Sequence, residues 1–563
     1  MNLQELKSQI AAVLSREHPD VPDPSRFGVS FAADPKFGDV AVNAAMVFAK
    51  DLKVPPRELA EQLVPKLEKL EGIAKAEVAG PGFINLTFSD NRIAQLAVKS
   101  AAAKPTGYAG KVVVTEYSDP NPFKVLHVGH LYTSIVGSAI TNLVAAAGGV
   151  VHPVNFGGDV GLHVGRTMWA ILQRLGGEHA GKLSEVPVGK RSEWMAACYV
   201  EGTNAYEDNK TARAQIIELN QKVYKIHAEH DSTSPLAQVY WTCRQWSYDY
   251  FDAFYARLGI HFERYYPESQ TTPLGLATVK RELSKGVYTK SDGAVVFKGE
   301  PYGLHTRVFI TSQGLPTYEG KDVGLIMSKW RDYHFDQSIV ITGNDIIEYM
   351  KVVLKSIEQF EPELAARSLH LTHGNVRLEG SVKMSSRKGN ILSAVDVLDA
   401  AAEANKKASG QDNEQVVIGA VKYAFLKNRL GPDLVYSAEE SVSLDGNSGP
   451  YIQYAHARAR SILAKVEARP AATELTNLTE GERTLARKIL EFPEVLQQAV
   501  NELLPHYVCV YMYELAQTFN RFYERNRVVG DPRQAERLEL VNAYADVLRS
   551  GMGVLGVSAP DRL

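Results

Sequence analysis

Residues 112–149 read VVVTEYSDPNPFKVLHVGHLYTSIVGSAITNLVAAAGG. The β-branched run Val112-Val113-Val114-Thr115 predicts a buried strand, which ends in Glu116 and Tyr117. The breakers Ser118-Asp119-Pro120-Asn121-Pro122 predict a loop, followed by Lys124. The loop delivers His127-Val128-Gly129-His130 to the start of a helix. Leu131, Ile135, Ala139 and Leu143 recur at a spacing of four, and Gly148-Gly149 stops the helix. A strand, a breaker-rich loop and a helix N-terminus make a place to hold phosphate, because the first helical N–H groups are unpaired and carry partial positive charge. His127 and His130 fall on nearly one side of the first turn, where both can donate to phosphate oxygens. Gly129 removes a side chain where a base or ribose would lie close to the backbone. A motif this short also arises by chance, and two histidines that merely cap a helix would read the same.

A second segment changes the weight of the first. Lys383-Met384-Ser385-Ser386-Arg387-Lys388-Gly389-Asn390 is a basic loop after a predicted strand over 369–376. A mobile loop of this kind brings cations to a polyphosphate and stabilises charge on a departing pyrophosphate. Alone it also reads as a solvated surface loop. Together the two segments resemble the HIGH and KMSKS motifs of class I aminoacyl-tRNA synthetases. The words around them, SDPNPFKVLHVGH, NFGGDVG, TYEGKDVG, VKMSSRKGN and YIQYAHAR, resemble the arginyl-tRNA synthetase family in particular and follow its order along nearly the whole chain.

The totals fit a multidomain globular chain. The length of 563 residues suggests about three to four domains. With 45% hydrophobic and 23% charged residues the composition is ordinary for a globular protein. A formal net charge of −3 argues against an indiscriminate polyanion binder and leaves room for local basic surface that meets RNA. Cys198, Cys243 and Cys509 form no CxxC pair, so neither a structural zinc site nor a disulfide framework is expected, which fits a reducing cytoplasm. The N-terminus lacks a signal-peptide pattern, and no apolar run approaches the roughly 20 residues that span a bilayer, so no membrane partner is expected.

In chain order, residues 1–103 read as a small α/β domain with helices near 3–16 and 56–70 and strands around the turn Gly80-Pro81-Gly82. The words DPKFGDVAVNAA and GPGFINL resemble the family's N-terminal domain, which touches the tRNA elbow and D-loop. The resemblance implies that Phe83 stacks on an unpaired base and Asn85 hydrogen-bonds to one; a Phe in a strand is otherwise most simply core. The resemblance makes residues 108–405 the expected catalytic domain. In it a second strand over 150–156 runs into Gly157-Gly158-Asp159, where doubly wound sheets place ligands. Residues 166–265 read as helices packed on the sheet, with His227, His230 and Cys243 as ordinary helix residues. Residues 338–342 read as a buried strand followed by Gly343-Asn344-Asp345. Residues 410–563 read as a helical bundle with no strand, with helices over 414–430, 448–468, 481–501, 505–526 and 533–552. In it Tyr454 and His456 beside exposed Arg458 and Arg460 suit unstacked bases.

The resemblance implies a Rossmann-like parallel-sheet core, class α/β, between the small N-terminal domain and a C-terminal all-α anticodon-binding bundle. It implies ligation of L-arginine to arginine tRNA, with ATP and Mg2+ as co-substrate and no structural metal, in a cytoplasmic monomer. His127 and His130 would stabilise the phosphates, with Lys124, Lys383 and Arg387 neutralising developing charge. Gly129, Gly158, Asp159, Met384 and Ser385 would join the ATP site. Glu116, Asn121, His127, Tyr318 and Asp322 would hold the substrate, since carboxylates match the planar donor fork of a guanidinium and a phenol packs on it. Tyr454, Arg458 and Tyr523 would contact the anticodon loop. The chain departs from the pattern at Ser386, where the family carries a second lysine for which Lys124, Arg387 and Lys388 are candidate substitutes, and at Met350, near which some relatives carry a Gln. Two other readings stay open at this point: a class I ligase for another amino acid, and a synthetase-like RNA-binding protein without catalysis.

Overall fold

The computed structural model describes residues 3–21, 23–378, 393–466 and 475–563. Lys383, Met384, Ser385, Ser386 and Arg387 lie outside the described residues. The chain divides into two compact units, Gly107–Ser443 and a unit combining Met1–Thr106 with Leu444–Leu563. No described helix is long and apolar enough to cross a membrane.

The first of these units is built on five strands: β1 (Val112–Glu116), β2 (Val150–Gly157), β3 (Arg264–Pro267), β4 (Gln337–Gly343) and β5 (Ser368–His373). They lie in the order β5-β4-β1-β2-β3, and every neighbouring pair is parallel. This is a doubly wound order whose direction reverses between β1 and β4, and ligands bind at the carboxyl ends of such strands. Val113 and Val114 are both buried although they point to opposite faces, as expected of a parallel strand covered on both sides.

Five helices position the site: α1 (Val128–Ala146) after β1, α2 (Leu162–Leu175) after β2, α3 (Glu268–Ser284) after β3, α4 (Tyr318–Tyr333) before β4, and α5 (Ile347–Glu358) after it. Helix α1 buries the spaced Leu131, Ile135, Ala139 and Leu143 and much of its remaining surface too, as an internal helix should. The helices Arg191–Asp208, Lys210–Ala228 and Pro235–Leu258 close over α2 around Phe123, Val164, Met168, Cys198 and Trp246. His227 is an ordinary helix residue here, 2.7 Å from the Tyr240 hydroxyl.

Two details differ from the sequence reading. The helix Glu414–Leu426, read there as the first of the bundle, belongs to the sheet-bearing unit, where Phe425 meets Tyr132 of α1 edge-on at 5.2 Å. Leu434–Tyr436 is a strand, paired in parallel with Val376–Leu378. Three residues are too few to show a period, so pairing across the fold defines this strand and local sequence does not.

In the other unit, an antiparallel sheet places Phe83–Phe88 between Val40–Val42 and Ile73–Ala79, with Val29–Phe31 at one edge. Its inner face packs Ile84, Leu86 and Phe88 against Leu6, Ile10, Phe48 and Leu63. The bundle helices are Gly449–Ala464, Glu480–Leu490, Phe492–Glu502, His506–Arg525 and Gln534–Val554. Here too one expectation is corrected. His456 is buried and donates through Nδ1 to Pro560 O at 2.9 Å, so it faces the core and not a ligand.

Helices α3 and α4 meet backbone to backbone. A Cβ on Gly275 would lie 2.1 Å from Gly320 O, and one on Gly324 would lie 2.2 Å from Thr271 O. No side chain fits there without separating the helices. Gly324→Ala should therefore cost about 1–3 kcal/mol, read as a lowered midpoint for thermal unfolding of this unit. An unchanged midpoint would show that the two helices slide apart freely.

Candidate active site

The loop from β1 to α1 is strained and held from every side. Ser118, Asp119 and Phe123 have φ of 75°, 51° and 67°, a region that side-chain-bearing residues avoid. Ser118 Oγ lies 2.7 Å from the Tyr255 hydroxyl. Asp119 Oδ1 accepts from Phe156 N at 2.8 Å, Asn121 Oδ1 accepts from Gly158 N at 2.8 Å, and Phe123 N donates to Ser247 Oγ at 2.9 Å. The strain persists because these contacts over-determine it.

The loop ends in a capping box made of two histidines. His127 is the N-cap of α1, and its Nδ1 accepts from Gly129 N at 3.1 Å. His130 Nδ1 accepts in turn from His127 N at 3.1 Å. A ring nitrogen that accepts from an amide carries no proton, so the network assigns the hydrogen of each neutral imidazole to Nε2. Burial, reinforced by the charge of Lys124, pushes His127 down to about 4. Burial, then His127 and Lys124, holds His130 well below the usual imidazole range. Both rings are therefore neutral near pH 7, stand 3.8 Å apart, and present N–H donors beside the start of a helix. Gly129 lines the cleft and also serves the cap. A Cβ there would lie 2.8 Å from His127 Cε1, so the glycine makes room for the imidazole.

Across the cleft lies an acidic pocket. A cavity of about 1110 Å3 is lined by Glu116, Asn121, His127, Gly129, His130, Tyr318 and Asp322, among others. It opens between the ends of β1 and β4, since Val340–Gly343 line it too. Glu116 is ion-paired with the buried Lys329, which also donates to Ser338 Oγ at 3.0 Å. Asp322 accepts from the Tyr349 hydroxyl. Burial pushes the Asp322 carboxyl up to about 7, with Glu116 and Glu268 adding to the rise. Burial and the neighbouring Glu116 hold Asp119 well above the carboxylate range. Glu268 pairs with buried Lys321. Tyr318, 59% exposed, stands at the mouth with Lys321 Nζ 5.3 Å from its ring centroid.

Gly158 and Asp159, expected at ATP, do not line the cavity. A Cβ on Gly158 would lie 2.5 Å from Asn121 Oδ1, so the glycine keeps that carboxamide in place. Asp159 is fully buried. It accepts from Ser269 N and Oγ at 2.9 and 2.7 Å and pairs with Arg244 at 3.0 Å, so its carboxylate is turned away from the cleft. Lys124 does not line the cavity; its ammonium sits 5.0 Å from the Tyr199 ring centroid. Met350 lines it as an apolar side chain. Glu268, Lys321, Lys329 and Tyr349 were not assigned from sequence. Lys329 follows Asp322 by seven residues, two helical turns on one face, and that signal was available.

In the other unit, Phe83 is 38% exposed and Asn85 half-buried on the outer face of the antiparallel sheet. In the bundle the Arg458 guanidinium sits 4.8 Å from the Tyr523 ring centroid. Arg458 and Tyr454 line a cavity of about 660 Å3 with Tyr451, Asn520, Arg562 and Leu563.

A doubly wound sheet whose switch point carries HVGH beside a buried acidic pocket defines a class I aminoacyl-tRNA synthetase. The family description "tRNA synthetases class I (R), catalytic domain" matches residues 92–437, "Arginyl tRNA synthetase N terminal domain" matches 4–88, and "DALR anticodon binding domain" matches 452–563. An arginine–tRNA ligase of Treponema pallidum is 30% identical, with 92% of each chain covered, and one of Clostridium perfringens is 29% identical, with 94% covered. The arginyl-tRNA synthetase of Thermus thermophilus superposes over 100% of both chains with a TM-score of 0.81 at 25% identity. That of Plasmodium falciparum shares the fold, with a TM-score of 0.77 at 21% identity, over 100% of this chain and 99% of its own. The chain belongs to the arginyl-tRNA synthetase family.

The raised Asp322 carboxyl sets a pH limb. Below about 7 it is increasingly protonated in the empty cleft; with Asp322 as an arginine ligand, the KM for arginine should climb as pH falls from 8 to 6. His127 and His130 remain neutral across this window. Asp322→Asn should raise KM at every pH and flatten the limb. A limb that survives in Asp322→Asn would assign it to another acid, with Asp119 the first to examine.

Proposed function

We propose that this one cleft performs both half-reactions of arginine–tRNA ligation. The arginine carboxylate attacks the α-phosphorus of ATP, forming arginyl-adenylate and releasing pyrophosphate. A 3′-terminal ribose hydroxyl of arginine tRNA then attacks the arginyl carbonyl and releases AMP. The observation that carries this reading is the joining, in one cavity, of a carboxylate pocket and two Nε2–H donors at a helix N-terminus.

In this reading the guanidinium meets Asp322 and Glu116, Tyr318 packs at the mouth, and Asn121 orients the amino-acid end. The ATP phosphates lie on the first turn of α1 and accept from His127 and His130. Lys124 contributes field from outside the cavity wall. Lys383 and Arg387 neutralise the pyrophosphate, and Mg2+ arrives with ATP. No protein nucleophile is required, because positioning and preorganised donors account for the catalysis. Phe83 and Asn85 read the tRNA elbow, and Tyr454, Arg458 and Tyr523 read the anticodon loop. The enzyme acts as a cytoplasmic monomer.

The test is His130→Ala and His127→Ala in a steady-state aminoacylation assay, with tRNA affinity measured separately. Each should lower kcat about 100- to 1000-fold, the loss seen when one preorganised oxyanion donor is removed. The double variant should fall short of the product of the two losses, because His130 holds His127 through its backbone N–H. Affinity for tRNA should be unchanged. Full activity in either single variant would remove the histidines from the reaction.

A further inference from the structure

The helix Glu480–Leu490 presents Arg483 and Arg487, four residues apart on one face, to the N-terminal sheet of the same compact unit. Arg483 Nη1 donates to Asp90 Oδ1 at 2.7 Å. Its Nη2 donates to Asp39 Oδ2 at 2.6 Å and to Phe88 O at 3.1 Å. Arg487 Nη2 reaches Ala32 O at 2.5 Å, and its Nε lies 3.8 Å from Asp39 Oδ1. Asp39 is buried, and the Oδ2 that Arg483 grips also accepts from Phe88 N at 2.8 Å. Asp90 Oδ2 accepts from Leu478 N at 2.9 Å, ahead of the same bundle helix. Arg487 reaches the residue after the edge strand Val29–Phe31, while the Arg483 bonds and the Leu478 bond meet at the carboxyl end of the strand Phe83–Phe88. By alternation that strand turns Phe83 and Asn85 to its outer face and Ile84, Leu86 and Phe88 into the core.

We propose that Arg483 is a positioning residue for tRNA: its guanidinium fork sets the strand that carries Phe83 and Asn85 against the bundle that carries Tyr454, Arg458 and Tyr523. The proposal rests on the reading that the outer face of this sheet meets RNA. Glue alone would not call for such an arrangement. Leu490 already packs in the N-terminal core, and a buried ion pair is commonly no more stabilising than apolar packing of the same volume. A planar fork adds direction: three bonds from one guanidinium fix the strand end in angle as well as distance. Two RNA-reading surfaces that must engage one folded RNA together need that fixed angle, since affinity gained by linking two contacts disappears when the geometry forbids both at once.

The experiment uses the full chain and full-length arginine tRNA. Arg483→Met, which keeps the stem and removes the fork, should raise the KM for tRNA about tenfold, as expected for lost hydrogen bonds to charged partners. The kcat at saturating tRNA and the KM values for ATP and arginine should stay within about twofold, since the fork touches none of their groups. Arg483→Lys, which keeps the charge and loses the fork, should show the same split and serves if the Met variant does not fold. Phe83→Ala should also raise the KM for tRNA, and combining it with Arg483→Met should add little, because the fork acts through that strand. An unchanged tRNA KM in both folded Arg483 variants overturns the proposal. Fully additive losses overturn it as well, leaving the RNA reading of Phe83 intact. A Phe83→Ala variant with normal tRNA KM removes the RNA reading and the proposal with it.

Discussion

A pocket for a guanidinium must keep its carboxylates buried while no guanidinium is present. An unpaired buried charge is costly, and this protein meets the constraint mainly with one helix. Helix α4 supplies Asp322 and also the two lysines that hold the other acids, Lys329 against Glu116 and Lys321 against Glu268. Two ammonium groups thus serve four acids, counting Asp119 and Asp322. Burial is the main cause of the rise of Asp322 to about 7, with Glu116 and Glu268 adding to it; in the proposed reading an incoming guanidinium supplies the positive charge that favours its ionised form. The buried pairs are therefore better understood as holding the pocket's shape and charge than as sources of stability. The glycine contact between α3 and α4 presses this helix into place.

The phosphate side obeys the opposite rule. There the two ring donors are uncharged, because burial keeps both imidazoles of HVGH neutral. The same backbone amides that complete the capping box take up both Nδ1 atoms, so each ring has its Nε2–H left to offer. In the proposed reading, neutral donors at a helix N-terminus hold phosphate without placing two further cations beside a cleft that must also admit arginine. The strained loop from Ser118 to Phe123 joins the two sides. It runs from Glu116 to His127; its Asp119 and Asn121 side chains accept from the backbone of Phe156 and Gly158, and Ser118 and Phe123 are bonded to Tyr255 and Ser247 of the helix Pro235–Leu258. The strand order puts these parts at the switch point between β1 and β4, so the fold itself creates the opening.

Much of this was legible in the sequence, for identifiable reasons. The strand, loop and helix of residues 112–149 are local, with clear periodicity and breakers, and Tyr318 and Asp322 share a helix face by spacing alone. Other features depend on neighbours remote in the chain. Glu268 acquires its meaning only from Lys321, Asp159 turns inward because Arg244 and Ser269 meet it, and His456 is drawn into the core by Pro560. Gly129 also makes room for an imidazole two residues away, which no local pattern announces. The strand Leu434–Tyr436 is too short to carry a pattern, and the helix Glu414–Leu426 has an apolar surface that suits either unit. Arg483 and Arg487 look like any charged helix face until Asp39 and Asp90 are brought opposite them.

The central claim is that the acidic pocket beside the HVGH helix admits arginine to be activated by ATP. Its most direct test is amino-acid-dependent exchange of pyrophosphate into ATP, measured for each of the standard amino acids with and without arginine tRNA. The account predicts exchange with arginine and with no other amino acid. Exchange supported by a different amino acid would contradict the guanidinium pocket at Glu116 and Asp322. Absence of exchange from folded protein that still binds tRNA would contradict catalysis itself.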